Sequence, residues 1–179
     1  ITFALLSIAG YGAMLAWIVW VDGRPIPAGE ALGIARDVAS ALACVHRESI
    51  IHRDVKPGNI MIEPSGQVKV MDFGLAKLSG QDMKLTQAGT VLGSPHFMAP
   101  EQGRGEAVDA RADVYAAGVV LAEMVSPDGI KDLESRQSVW EGVRSEPAKV
   151  PDTPWAEVIK QAVRKDREQR FKSAHTLTR

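Results

Sequence analysis

The feature that most constrains this chain is a polar octapeptide set between apolar runs. His52-Arg53-Asp54-Val55-Lys56-Pro57-Gly58-Asn59 follows Ile50-Ile51 and leads into Ile60-Met61-Ile62. A second short apolar run, Val68-Lys69-Val70-Met71, comes soon after, and Pro64-Ser65-Gly66 between the two is turn chemistry. The pair therefore reads as a β-hairpin. A hairpin placed there returns the chain to its start and sets Asp72 beside Asn59.

The residues so gathered are those that phosphoryl transfer requires. A triphosphate is polyanionic, so its divalent metal must be held by hard oxygen ligands, and Asn59 and Asp72 supply them. An acceptor hydroxyl needs a carboxylate to orient it and take its proton, and Asp54 is the candidate base. Charge on the group in transit calls for a cation. Lys56 lies two residues beyond Asp54, on the same side of an extended loop.

The rest of the chain frames this loop. Its 179 residues favour one domain with a real core. A formal net charge of -1 gives nucleic acid no electrostatic foothold. The single cysteine, Cys44, excludes an internal disulfide and a multi-cysteine zinc site, and its place in a helical apolar pattern predicts a buried thiol. Ala31, Ile34, Ala35, Val38, Leu42 and Val45 recur at helical spacing and predict a helix ending near His46-Arg47. Asp109 to Val125 predicts a second helix, with Val114, Tyr115, Gly118, Leu121 and Val125 on one face. Thr153-Pro154 reads as an N-cap and first helical residue before the stripe Trp155, Val158, Ile159, Ala162, Val163. Gly74 to Phe97 has little periodicity and predicts a long functional loop. Residues 1–20 carry no charge and just reach the length of a membrane span.

The octapeptide resembles the catalytic loop of protein kinases, and Asp72-Phe73-Gly74 resembles their metal-binding motif. Ala99-Pro100-Glu101 matches a third motif of that family, and with Met98 and Gln102 around it the stretch looks like bacterial Ser/Thr kinases of the eukaryotic type. The fold this implies is mainly α (α+β): a kinase-like C-terminal lobe over residues 21–179, with a short hairpin at the catalytic loop. The resemblance implies that Asp54 is the catalytic base and Lys56 the contact to the γ-phosphate. Asn59 and Asp72 would hold Mg2+ with ATP. Arg53 would hold a phosphorylated activation loop, with Thr86 and Thr90 as candidate phosphorylation sites. Ser94 would bridge Asp54 and Lys56. His52 would pack near Phe73, and Gly74 completes its motif. Asp113 resembles the buried aspartate that tethers the catalytic-loop backbone, and Arg170 the arginine that pairs with Glu101. The partner implied is a protein substrate, with the chain in the cytoplasm or on the cytoplasmic face of a membrane.

Departures from the family bear on activity. No Gly-x-Gly-x-x-Gly loop and no Val-Ala-x-Lys strand occurs in the chain. Ala16 to Gly23 reads as a degenerate last strand and hinge of a small lobe, and Val21-Asp22-Gly23-Arg24-Pro25 as the hinge exit. The stretch 126–150 lacks the Gly-x-x-Pro-Phe pattern. Three readings compete for residues 1–20: a membrane helix, a remnant of the small lobe, or sequence with no native role. The chain begins with Ile1, which fits a piece of a longer protein. Two functions follow: a protein Ser/Thr kinase whose isolated chain turns over weakly or not at all, or a non-catalytic kinase-like scaffold, membrane-tethered through residues 1–20.

Overall fold

The computed structural model describes residues 13–14, 26–63, 65–73, 95–125 and 155–178. Over these the molecule is mainly helical, with one small antiparallel sheet.

Helix α1, Ala28–Arg47, is the twenty-residue helix that the apolar spacing predicts. Ala31, Ile34, Val38 and Leu42 are buried along one stripe. Pro27 precedes the helix, and its carbonyl accepts from the Glu30 and Ala31 amides at 2.9 and 3.0 Å. At the other end Ser49 takes a positive φ of 59°, and the Ile50 amide folds back onto the Val45 carbonyl at 3.0 Å. Cys44 corrects the expectation of a buried thiol, because it is exposed. It stands two residues after Leu42, and at 3.6 residues per turn that offset points it to the opposite side of the helix.

Strands β2, Ile60–Ile62, and β3, Val68–Val70, form the expected hairpin, with Ile60 opposite Val70 and Ile62 opposite Val68. Gly66 closes the turn with φ 87°, a conformation that only glycine adopts without strain. Strand β1, Ala13–Met14, lies on the other side of β2, with Ala13 opposite Ile62. It falls within the apolar N-terminal segment, whose other residues lie outside those described. No helix among the described residues is long and apolar enough to cross a membrane.

The four-residue helix α2, Pro100–Gly103, begins at the third motif. Helix α3, Ala110–Val125, was expected to bury one face, but it is buried on nearly every side, from Ala112 to Met124 with only Ala117 less covered. The reason is that α3 has neighbours all round. Helix α1, helix α4 (Ala156–Ala162), the 3-10 turn Pro95–Phe97 and the C-terminal turn Ala174–Thr178 all pack on it. Gly118 lets α4 come close: a Cβ there would lie 2.6 Å from the Ala162 Cβ. Helix α4 starts at Ala156, with Trp155 in the N-cap position and no side-chain cap, which is later than the Thr153-Pro154 start read from the sequence. Thr153 and Pro154 themselves, the expected hinge at 16–25 and the stretch 126–150 lie outside the described residues.

Candidate active site

The loop from His52 to Asn59 runs out of α1 and into β2, and two side chains from distant helices, Asp113 and Gln102, anchor it. Asp113, on the first turn of α3, is buried. Its Oδ2 accepts from the His52 amide at 2.8 Å, and its Oδ1 accepts from the Arg53 amide at 2.8 Å. The His46 imidazole, at the end of α1, meets the same Oδ2 at 2.8 Å. A buried carboxylate is stable only when its oxygens are so occupied.

His52 is fully buried and bonds in two directions. Its Nδ1 accepts from the Asp54 amide at 3.2 Å, so Nε2 carries the ring hydrogen and donates it to the Met71 carbonyl at 2.9 Å. The Phe73 ring lies against it, with centroids 4.6 Å apart. The loop is thereby tied to the end of the hairpin, and the Met71 amide, donating to the Asn59 carbonyl at 2.8 Å, ties it a second time. Asp72 follows directly, exposed and with φ 55°, one residue beyond that tie to Asn59.

The polar side chains of the loop converge on one carboxylate. Asp54 Oδ2 accepts from Lys56 Nζ at 2.8 Å and from Asn59 Nδ2 at 3.0 Å, and Asn59 Nδ2 also donates to the Asp54 carbonyl at 2.8 Å. The Lys56 and Asp54 side chains remain 28% and 23% exposed, within reach of a substrate. With the Asn59 amide nitrogen committed to Asp54, its carbonyl oxygen is the atom left for a hard cation. Arg53 has φ 65°, and its Nε is buried without a partner among the described residues.

The third motif is anchored separately. Arg170 and Glu101 form a bidentate pair at 2.6 and 2.8 Å, and their side chains are 0% and 3% exposed. The guanidinium also donates to the Arg164, Lys165 and Arg111 carbonyls and lies over the Tyr115 ring, 4.8 Å from its centroid. Outside it, Arg111 bonds Asp109 and Glu168 at 2.7 Å each. Hydrogen bonding from Arg111 holds the Asp109 carboxyl below its usual range, and the same contact raises Arg111.

The structure thus brings together His52, Asp54, Lys56, Asn59, Phe73 and Asp113 in one place, with Asp72 adjoining, and Glu101 with Arg170 in another. Gly74, Thr86, Thr90 and Ser94 lie outside the described residues. Four participants were missed in the sequence. His46 shares Asp113. Gln102 bonds the Ala99 amide and the Arg53 carbonyl. His96 meets the buried Glu123 at 2.6 Å. Only Gln102 carried a signal that would have found it, since a Gln at the third helical position is where a capping box places its return bond.

The chain matches the protein kinase domain family over residues 9–178, a span that begins inside the apolar segment. It is 40% identical over 172 residues to the serine/threonine-protein kinase PknB of Mycobacterium leprae, covering 91% of this chain and 27% of that protein. It is 44% identical over 145 residues to a probable serine/threonine-protein kinase PknB of Bifidobacterium longum, covering 76% and 21%. With PknB of Mycolicibacterium smegmatis it shares 48% over 116 residues, covering 64% and 18%. The chain therefore spans about a quarter or less of the length of these relatives.

Proposed function

Because this chain belongs to the protein kinase family, we propose that it is the catalytic-loop lobe of a protein Ser/Thr kinase, passing a phosphoryl group from ATP to a Ser or Thr hydroxyl of a protein substrate. The observation that carries this reading is the convergence of Lys56 and Asn59 on Asp54 Oδ2. Two donors on one oxygen fix the plane of the carboxylate, and a carboxylate so fixed can orient an incoming hydroxyl. As the new O–P bond forms and the bond to ADP breaks, the hydroxyl proton passes to Asp54. Lys56, already in place, offsets negative charge on the phosphoryl oxygens.

The donor set fits magnesium. Asn59 Oδ1 and the Asp72 carboxylate are hard oxygens on neighbouring backbone, joined through the Met71–Asn59 bond. Magnesium, when bound there, supplies charge neutralisation for the triphosphate. Arg53 Nε, buried without a partner among the described residues, supports a regulatory role in which phosphorylated Thr86 or Thr90 provides the acceptor. Ser94 would bridge Asp54 and Lys56. Dependence on ATP would suit the cytoplasm or the cytoplasmic face of a membrane.

The isolated 179 residues should turn over very weakly or not at all, since the sequence has no glycine-rich phosphate loop and no lysine strand. The test is transfer of labelled phosphate from magnesium-ATP by the purified chain, with Asp54→Ala as control. Robust Asp54-dependent transfer would overturn the expectation of weak turnover. Transfer of equal size in the Asp54→Ala variant would overturn the kinase mechanism.

A further inference from the structure

We infer that Gln102 is a positioning residue for Asp54, holding the peptide unit from which the candidate base projects. The inference rests on the reading of Asp54 as that base.

The peptide joining Arg53 to Asp54 is gripped at both polar ends by side chains. Its N–H, from Asp54, donates to His52 Nδ1 at 3.2 Å. Its carbonyl, from Arg53, accepts from Gln102 Nε2 at 3.0 Å, a bond that spans 49 residues of chain. The residue just before this unit is Arg53, with φ 65°. A non-glycine residue rests in that left-handed region only when its surroundings hold it there. Asp113 grips Arg53 from the amide side, and Gln102 grips it from the carbonyl side. If the carbonyl were released, the peptide plane could turn and Arg53 relax to negative φ. The Asp54 side chain, which leaves the backbone one atom beyond that plane, would turn with it.

Gln102 is suited to this task because its amide does two different things. Its Oε1 accepts from the Ala99 amide at 3.1 Å, closing the first turn of α2, and its Nε2 donates to the loop. It is 9% exposed, so water does not readily replace either bond. A glutamate would serve the first bond equally well, as it does in capping boxes. It could not serve the second, because a carboxylate oxygen would then face the Arg53 carbonyl oxygen. Gln102→Glu therefore separates the structural task from the positioning one, while Gln102→Met keeps the bulk and loses both bonds.

The experiment uses 15N-labelled chain and reads amide exchange and chemical shifts at Arg53 and Asp54, alongside melting temperature and Asp54-dependent phosphate transfer. In Gln102→Glu we expect a lower melting temperature, because a nearly buried carboxylate then faces a carbonyl oxygen, so Asp54 exchange is read relative to that of the α3 core amides. The Asp54 amide should exchange about 10-fold faster, and any Asp54-dependent transfer that wild type shows should fall about 10-fold. Gln102→Met should speed Asp54 exchange as well. Unchanged Asp54 exchange and shifts in Gln102→Glu overturn the inference. So does wild-type exchange in Gln102→Met, which would show that only bulk matters. If Gln102→Glu does not fold, Gln102→Met decides alone. If wild type transfers no phosphate, as the missing glycine-rich loop and lysine strand lead us to expect, the exchange and shift data alone judge Gln102.

Discussion

Two of the acid–base pairs among the described residues are nearly equal in length and opposite in character. Lys56–Asp54, at 2.8 Å, sits on a partly open loop with left-handed backbone at Arg53. Arg170–Glu101, at 2.6 Å, is sealed from water, and its guanidinium finds three further carbonyls. The open pair can exchange one partner for water or another group at little cost to the fold. The sealed pair can exchange nothing, because either group left alone would be a buried charge. Contact distance therefore does not reveal what an ion pair is for; exposure and the remaining bonds do.

Removing one partner from each pair should separate the two kinds sharply. Arg170→Ala should cost about 3–5 kcal/mol in denaturant unfolding, since it strands Glu101 in the interior. A loss below 1 kcal/mol would mean that water reaches the site and the contrast fails. Asp54→Asn should do the reverse: any phosphate transfer that wild type shows should fall about 10²–10⁴-fold, with stability within about 1 kcal/mol of wild type. A large drop in its melting temperature would show that the open pair is structural as well.

Both pairs rest on α3, so disturbing that helix should affect them together. Gly118→Ala pushes a methyl against Ala162, and overpacking of this kind should cost about 1–3 kcal/mol by denaturant midpoint. The smallest effect belongs to the exposed rim around the sealed pair. The folded-state pKa of Asp109 lies below its ordinary value of 3.8, chiefly through the Arg111 hydrogen bond. Its stabilisation is therefore complete above that value and is lost as pH falls through the lower, folded one. Because the group is largely solvated, Asp109→Asn should remove less than about 1 kcal/mol at neutral pH. It should also flatten the stability profile below pH 4, and added salt should shrink the effect.

The open region was far more legible in the sequence than the sealed one. Its residues are close in the chain, so spacing and turn chemistry alone place Asp72 beside Asn59, and the helical stripe yields α1. What was not legible depends on partners distant in sequence. The stripe on α3 assumed one covered side, and only the assembled lobe surrounds the helix. Cys44 kept an apolar neighbourhood in sequence while its angular position faced water. The pairing of Glu101 with Arg170 could be expected from the family resemblance, but not the carbonyls that complete it. The His96–Glu123 contact follows from no local pattern.

The carboxylate of Asp113 has a consequence for how the lobe forms. It joins groups 60, 61 and 67 residues away, at Arg53, His52 and His46. Such closures are entropically slow and come after local helices have formed. The loop from His52 to Asn59 therefore cannot acquire its shape ahead of the lobe. During refolding, helical signal should return before the His52 and Arg53 amides are protected, so a chain that has merely collapsed would have its helices and no competent loop.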